Sequence, residues 1–431
     1  MKRLLPICLL LSFSALGETT PNELIVKLKP GQVLPKLNNV KSVQNLFENV
    51  YILRTNDLAL VEASLKKYSS VIYTERNHRS ERTSLPTPVP GSLEKTMNAN
   101  SQFNDPLVGK IWSFNDADKF GVSVNSAYKT YGTSNTTPVI VAVVDTGVDV
   151  QHEDLKDIMW VNSNEIPANG IDDDNNGYVD DVNGINVLVR DSEGRATGNI
   201  KDSHSHGTHV SGTIAARQNN GKGIAGIASN VKIMGIRTVP NNGDETDVDV
   251  AEAFIYAAKN GAKLINCSFG KSSNEGGKLI PDTLKYIADN YGVLVIAAAG
   301  NDSDDIDKHP TYPASHPSEN LLIIASTQSN GKMSGFSNYG AVNVDVAAPG
   351  SSIFSTTPGN SYGSMSGTSM ATPTTVGVAA EILSHNPELT VVELKDVLMK
   401  SVTKVGSFKG KMISEGRIDL LKGLEFAKTI K

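Results

Sequence analysis

Short, continuously apolar runs alternate with stretches of helical spacing along most of this chain. The apolar runs occupy residues 138–144, 231–236, 263–267 and 293–298. Runs of this kind are typical of strands whose two faces are both buried, as in parallel sheets. The helical stretches between and after them occupy residues 208–217, 247–260, 281–291, 370–384, 390–402 and 419–428. The alternation predicts an α/β fold, a doubly wound and mostly parallel sheet with helices on both faces.

The first 79 residues differ from this pattern. Residues 1–17 combine a basic start, a short apolar run and a small-residue end at Ala15-Leu16-Gly17, which is typical of a signal peptide and predicts a secreted protein, extracellular or periplasmic. The apolar run is too short to cross a bilayer, which takes about 20 residues, so no membrane span is expected. Residues 18–79 mix strand and helix patterns and predict a small α+β domain.

Residues 80–103 are polar and contain Pro86, Pro88 and Pro90, so we expect an exposed linker between this domain and the α/β domain at 104–431. The net charge of −6 excludes a nucleic-acid partner, because phosphate binding needs a clustered positive patch. Two cysteines in 431 residues cannot form a disulfide framework.

The informative polar residues follow the predicted strands, where the sites of doubly wound sheets lie. Asp145 ends one apolar run and begins the sequence Asp-Thr-Gly. An aspartate there is partly desolvated and can orient a partner. Asp-Thr-Gly also occurs in aspartic proteases, but those need a second such carboxylate, and this chain has no second Asp-Thr-Gly or Asp-Ser-Gly.

A second cluster, His-Gly-Thr-His-Val-Ser-Gly, begins at His206. Together with His204, the histidines suggest a metal site, but a third ligand at helical spacing is missing from the sequence. A helix that opens at His206 presents this imidazole beside the strand ends. We therefore interpret His206 as a general base and His209 as a structural residue.

Ser369 lies in Gly-Thr-Ser-Met-Ala-Thr-Pro, where Gly367 permits a sharp turn into a helix. Pro373 should lie near the start of that helix, because the missing N–H of proline costs little there. A serine there is either a helix cap or a nucleophile beside unpaired N–H groups. Asn301 follows another buried run and is either a turn residue or a hydrogen-bond donor to an oxyanion.

The four clusters, at 143–149, 206–212, 298–301 and 367–373, resemble the signature blocks of the subtilisin-like serine proteases, in the same order along the chain. Residues 18–79 are similar to the inhibitory propeptide of that family. The resemblance implies a secreted serine endopeptidase that is made as a self-processed proenzyme and acts on polypeptides, with its own propeptide as an intramolecular inhibitor and no organic cofactor.

The same resemblance assigns the residue roles. Ser369 would be the nucleophile, His206 its base and Asp145 the partner of the imidazole, while Asn301 would complete the oxyanion hole. The segment that pairs with the substrate backbone would consist of Ser268, Phe269 and Gly270.

An acidic loop follows at residues 169–184 and has the oxygen-rich spacing of an EF-hand, although Asn183 stands where an EF-hand has glutamate. It predicts a structural calcium site, the alternative being a solvated acidic loop. The predicted ligands are Asp172, Asp174, Asn176, Tyr178, Asp180 and Asp181. The family resemblance also implies a second calcium site, formed by Asp154 and the loop at 219–221.

Two alternatives remain open. A non-catalytic member of the family could use the cleft only to hold a peptide, although such proteins usually lack a triad residue. The acidic run formed by Asp244, Glu245, Asp247 and Asp249 either selects basic substrate residues or is a solvated face.

Overall fold

The computed structural model describes residues 18–79, 85–91, 102–134, 136–191, 194–272 and 277–430. The predicted signal peptide at 1–17 and most of the predicted linker lie outside the described residues. No helix within these ranges is both long enough and apolar enough to cross a bilayer.

Residues 18–79 form a four-stranded antiparallel sheet with the order β2-β3-β1-β4 and one helix. The strand alternation gives this sheet two buried faces, because Leu24 and Val26 pack with the helix residue Val61, whereas Ile25 belongs to a core shared with the larger domain. The elements are β1 (Glu18–Leu28), β2 (Val40–Phe47), β3 (Val50–Thr55), α1 (Leu58–Leu65) and β4 (Val71–Arg79).

The large domain is built on a ten-stranded sheet with the order β16-β17-β13-β12-β11-β10-β6-β9-β7-β8. Neighbours from β17 to β7 pair in parallel, and the edge strands β16 and β8 pair antiparallel. These strands are β6 (Val139–Asp145), β7 (Gly184–Arg190), β8 (Ala196–Thr197), β9 (Val231–Arg237), β10 (Leu264–Cys267), β11 (Leu294–Ala298), β12 (Leu321–Thr327), β13 (Val346–Pro349), β16 (Thr403–Lys404) and β17 (Gly416–Arg417).

Helices cover both faces of this sheet, as predicted. Along β6, Val141 and Val143 point into one core, which α2, α3 and α6–α8 line, whereas Ala142 and Val144 point into the core under α4 and α5. The predicted doubly wound α/β fold is therefore confirmed. The helices are α2 (Val124–Tyr131), α3 (His206–Ala215), α4 (Asp247–Lys259), α5 (Leu279–Tyr291), α6 (Thr368–His385), α7 (Val391–Lys400) and α8 (Leu420–Ala427).

A third, three-stranded sheet changes the prediction for the linker. Its order is β14-β15-β5, with β5 (Val89–Pro90), β14 (Ile353–Thr357) and β15 (Ser361–Met365). Residues 85–91 therefore do not run freely between the domains, because β5 adds to the edge of the β14–β15 hairpin. Thr87, Val89 and Pro90 are exposed, as expected of a linker, but the proline pattern gave no sign that the segment pairs with β15.

Candidate functional site

An aspartate–histidine pair lies where β6 ends and α3 begins. His206 Nδ1 lies 2.8 Å from Oδ1 and 3.0 Å from Oδ2 of Asp145, and both side chains are buried. The carboxylate accepts from Nδ1–H, which leaves Nε2 as the basic nitrogen of the neutral ring. Nε2 is buried and has no hydrogen-bond partner among the described residues. Gly207 lets the helix approach this closely, because a Cβ there would overlap the carbonyl oxygen of Gly147.

Asp202 is a functional residue that the sequence reasoning missed. Its buried carboxylate accepts hydrogen bonds from the backbone N–H groups of His204, Ser205 and Thr208 at the start of α3. It also accepts the hydroxyl hydrogens of Thr208 and of Thr146, the residue after Asp145. One carboxylate thus joins the helix that carries His206 to the loop that carries its partner. An acidic residue just before a predicted helix was the available signal.

Ser369 is the second residue of α6 and exchanges hydrogen bonds with Ser268. Ser369 Oγ donates to the Ser268 carbonyl at 2.9 Å, and Ser268 Oγ donates to the Ser369 carbonyl at 3.0 Å. No hydrogen bond joins Ser369 to His206 within the described part of the chain. Their partners follow neighbouring strands: Cys267 of β10 pairs with Val144 of β6, so Ser268 and Asp145 come directly after paired residues on strands about 4.8 Å apart.

Pro373 explains why the Ser369 carbonyl is free to accept from Ser268. The proline is the sixth residue of α6, near the start of the helix as predicted but beyond its first turn. In an α-helix the N–H of residue 373 would donate to the carbonyl of residue 369, and proline has no N–H. The proline therefore removes the helical donor, and Ser268 Oγ takes its place.

Asn301 follows β11 and is exposed, with its amide orientation fixed by Thr368. Asn301 Oδ1 accepts the Thr368 backbone N–H at 2.8 Å and the Thr368 hydroxyl at 3.0 Å. Because the oxygen is occupied, the Nδ2 hydrogens point away from Thr368. The Asn301 amide is thus held in a fixed orientation by Thr368, the residue before Ser369.

The segment Ser268–Phe269–Gly270 lies between Ser369 and a pocket. Ser268 and Phe269 are buried, whereas Gly270 is exposed. Phe269 lines the pocket together with Asp247 and Lys271, whose Nζ lies 2.8 Å from Asp247 Oδ1. This part of the cleft wall is therefore packed and internally ion-paired.

The acidic run is buried in this structure. Asp244, Glu245, Asp247 and Asp249 are each less than one-tenth exposed, so with residues 18–79 in place they do not form a solvated face. Burial raises the pKa of Asp249 to about 6, against the opposing effect of Arg190, whose Nη2 lies 3.1 Å away. A preference for basic substrate residues stays a prediction.

His209 lies one turn after His206 and is buried. Its Nε2 lies 2.9 Å from the Ile353 carbonyl and 3.2 Å from the Gly363 carbonyl, which ties α3 to the β14–β15 hairpin. Burial, reinforced by His206, lowers the pKa of His209 to about 3. The ring is therefore neutral and structural, as the sequence interpretation has it.

In the acidic loop, the carboxylates of Glu165, Asp172 and Asp174 converge. One oxygen from each lies within 4.8 Å of the others, and Glu165 Oε2 is buried without a hydrogen-bond partner in the described chain. Burial first, and then Asp181 and Asp174, raise the pKa of Glu165. Sequence reasoning missed Glu165 because it precedes the loop and only its acidity marks it.

The other predicted ligands make hydrogen bonds within the loop or to α4. The Asp180 carboxylate accepts backbone N–H groups of residues 169 and 170, and Asp181 accepts the Tyr256 hydroxyl at 2.5 Å. Asn176 donates to Asp174 and to Asp181, while the Tyr178 hydroxyl donates to Glu252. The structure thus brings two of the six predicted loop ligands together with Glu165.

Asp154 lies near the 219–221 loop, as the family resemblance implied. Its carboxylate accepts from Asn220 Nδ2, from the Ile224 N–H and from the Tyr362 hydroxyl. Asp105, which sequence reasoning missed, is buried beside it and accepts the N–H groups of residues 219 and 220. Burial raises the pKa of Asp105, and Asp154 adds to the effect.

A buried Asp–His pair, a serine at a helix start and an amide held by Thr368 thus lie near the carboxyl ends of parallel strands, and these are the residue types that a serine hydrolase uses. The family model described as "Subtilase family" matches residues 136–415. The chain belongs to the subtilase family.

Among similar proteins, a thermophilic serine proteinase of Bacillus sp. strain AK1 is 34% identical over 76% of this chain and 74% of its own length. Thermitase of Thermoactinomyces vulgaris is 35% identical over 66% of this chain and 88% of its own length. Subtilisin-like protease 1 of Plasmodium berghei is 32% identical over 79% of this chain, and the match spans only 58% of that protein.

Solved structures show the same fold. A protease from Pseudoalteromonas arctica superimposes with a TM-score of 0.60 at 28% identity, over 76% of this chain and all of the other. Fervidolysin from Fervidobacterium pennivorans, described as a keratinolytic enzyme related to subtilisin, gives a TM-score of 0.70 over 95% of this chain and 61% of its own, at 24% identity.

We expect Asp202→Asn to lower the free energy of unfolding by about 2–3 kcal/mol, because an amide nitrogen would face N–H donors in a buried site. Urea denaturation measures this loss. The His206 Nδ1–H signal in NMR spectra should also exchange faster with water. The exposed Asp289→Asn change, which breaks only a surface pair with Lys285, is the control. Equal stability of the two variants would contradict the role of Asp202.

Proposed function

We propose that this chain is a secreted, calcium-stabilised serine endopeptidase that is made as a self-processed proenzyme. The observation that carries the proposal is the buried Asp145–His206 pair, whose Nε2 has no partner among the described residues. On the neighbouring strand β10, Ser268 follows the last residue and accepts the Ser369 hydroxyl. Asn301 supports it by offering an amide donor beside Ser369. Secretion rests on the leader pattern of residues 1–17.

In this mechanism the Ser369 hydroxyl first turns from the Ser268 carbonyl to His206 Nε2. Ser369 Oγ then attacks the scissile carbonyl carbon while its proton passes to Nε2, and the carbonyl electron pair becomes an oxyanion that Asn301 Nδ2–H stabilises. Asp145 stabilises the imidazolium. Collapse expels the amine, which takes the proton from His206, and a water molecule repeats the sequence to release the acid.

Ser369→Ala should abolish peptidase activity and labelling by a fluorophosphonate probe, because no other residue supplies the oxygen that forms the covalent bond. The precursor should then accumulate uncleaved, with its maturation bond within residues 76–104 intact. Ser329→Ala, on an exposed turn, is the matched control. Wild-type protein that folds but does not react with the probe would favour the peptide-holding alternative, and normal maturation of the Ser369 variant in isolation would exclude self-processing.

The proposed inhibitory role of residues 18–79 is supported by how this domain covers α4 and α5. Phe47 stacks on Tyr286 with ring centroids 4.7 Å apart. Asp282, in the first turn of α5, accepts from Lys27 Nζ at 2.7 Å and from the Tyr73 hydroxyl at 2.8 Å. These contacts combine apolar burial with charge pairing, as expected of a resident partner.

The same domain also supplies acceptors to the starts of both helices. Glu75 Oε2 accepts the Lys278 N–H at 3.3 Å before α5, and Asn77 Oδ1 accepts the Val248 N–H at 3.4 Å in α4. Helix starts carry unpaired N–H groups and a positive partial charge, so these side chains complete them. The domain is thus electrostatically matched to the surface it covers.

This interface should weaken as the pH rises. Burial, with help from Asp247, raises the pKa of Glu75 to about 7, whereas an exposed glutamate has a pKa of about 4.3. Lys278 opposes the shift but does not cancel it. A group whose pKa is raised in the complex favours the complex at low pH, and this contribution is lost as the pH rises through about 7.

We expect inhibition of the processed protein by its own N-terminal domain to be roughly tenfold weaker at pH 8 than at pH 5.5, once the intrinsic pH profile of the peptidase is divided out. Glu75→Gln should remove most of this pH dependence, because the amide stays neutral. Glu48→Gln, an exposed change on the same domain, should leave it intact. Residual activity against pH for the three proteins measures the effect, and an unchanged slope in Glu75→Gln would contradict it.

Calcium is proposed for the cluster of Glu165, Asp172 and Asp174. Three carboxylate oxygens within 4.8 Å of one another repel without a cation, and an unpartnered buried Glu165 oxygen suits a hard cation that binds only oxygen. Bound calcium would neutralise the cluster and fix residues 162–181 against α4. Asp105 and Asp154 would contribute to the second site.

Chelation with EDTA should lower the melting temperature by about 5 °C or more, and added Ca²⁺ should restore it, because a ligand that binds only the folded state stabilises it. Glu165→Gln should melt lower in Ca²⁺ and respond less to EDTA. The exposed Asp157→Asn variant is the control. Melting that does not depend on EDTA or Ca²⁺ would contradict the calcium proposal.

A further inference from the structure

The segment of residues 85–91 lies against the cleft. Its first proline, Pro86, packs beside Gly367, with Cγ 3.3 Å from the position a Cβ would take there, two residues before Ser369. From that point the segment runs outward along β15. Pro90 pairs with Gly363, and the Gly91 N–H donates to the Tyr362 carbonyl at 3.2 Å.

The proline spacing fits this position. In a strand, alternate residues direct their N–H groups to the same edge. Because Gly91 donates to β15, the N–H of Val89 faces β15 as well, and the nitrogens of Pro88 and Pro90 face the opposite edge. The segment thus loses no donor to β15, and the prolines leave its outer edge without N–H groups that could pair with a further chain.

Two close contacts show that the surface is shaped for this segment. A Cβ on Gly91 would overlap the ring of Phe354, so only glycine allows the backbone to lie on that ring. A Cβ on Gly363 would lie 2.9 Å from the Val89 carbonyl oxygen, so the hairpin also has a glycine where the backbones approach. Gly91 lies on the segment and Gly363 on the hairpin, so each side of the contact has a glycine where the other side approaches closely.

We propose that the edge of β15, with Phe354 and Gly367, is a docking site for an extended polypeptide, and that residues 85–91 are its built-in occupant. The proposed site receives the residues that follow the scissile bond. The direction of the segment supports this assignment, because it starts beside the Ser369 turn and runs away from it, whereas Ser268–Gly270 borders the other side of Ser369. This inference rests on the proposed peptidase function.

The occupant should compete with long substrates. A substrate chain on this side would add to β15 by the same strand pairing, so both cannot bind at once. A tethered segment acts at an effective concentration of about millimolar, and its prolines lower the entropy lost on docking. If the segment stays on the processed protein, it would slow the cleavage of extended chains. It would not affect the cleavage of substrates that end at the scissile bond.

The test compares two substrates on the processed protein. One is a peptide anilide, which has nothing beyond the scissile bond, and the other is an internally quenched peptide with about six residues beyond it. Gly91→Val should displace the segment from Phe354 and raise kcat/KM for the long peptide about tenfold, the value of one or two backbone hydrogen bonds. The value for the anilide should stay within about twofold.

Thr87→Ala is the matched control, because Thr87 is exposed and the change leaves the backbone contacts in place. Equal changes for both substrates in Gly91→Val, or no change for the long peptide, would overturn the proposal. So would N-terminal sequencing that shows the processed protein to begin after Gly91. Loss of anilide hydrolysis and fluorophosphonate labelling in the wild type would instead refute the proposed function.

Discussion

A parallel sheet that is covered on both faces can carry polar chemistry only where its strands end. In this chain that constraint brings together residues that lie far apart in the sequence. Asp145 ends β6, Ser268 follows β10 in the neighbouring position, and Asn301 follows β11. The two helices that supply His206 and Ser369 start at the same edge, so the site is a consequence of strand order before any side chain makes a contact.

The helix starts are then held by hydrogen bonds that do not belong to the helices themselves. Asp202 accepts four hydrogen bonds at the start of α3 and a fifth from Thr146, which follows β6. At the start of α6, Thr368 fixes the Asn301 amide while Ser268 and Ser369 exchange hydroxyl-to-carbonyl bonds. Positioning by buried polar networks is specific because each unmade bond costs free energy in a dry environment.

Sequence patterns predicted the sheet, most of the helices and the Asp145, His206, Ser369 and Asn301 positions, because strand burial and local motifs leave signals within a few residues. Contacts between distant segments leave no such signal. Asp105 meets Asp154 across the fold, and the segment at 85–91 finds β15 more than 270 residues later. The burial of the acidic run at 244–249 could not be predicted for the same reason, since its partners lie on a separate domain and in a pocket. Glu165 is close in sequence to Asp172 and Asp174, but it precedes the EF-hand-like spacing and was missed for that reason.

Pro373 affects how α6 is joined to the segment that follows β10. Because Pro373 has no N–H, α6 supplies no backbone donor to the Ser369 carbonyl, which accepts from Ser268 Oγ instead. Any of the other nineteen amino acids would restore a backbone N–H at position 373, and the Ser369 carbonyl would then be shared between that N–H and Ser268 Oγ. The missing N–H of Pro373 thus leaves the Ser369 carbonyl open to the hydrogen bond that joins α6 to the segment after β10.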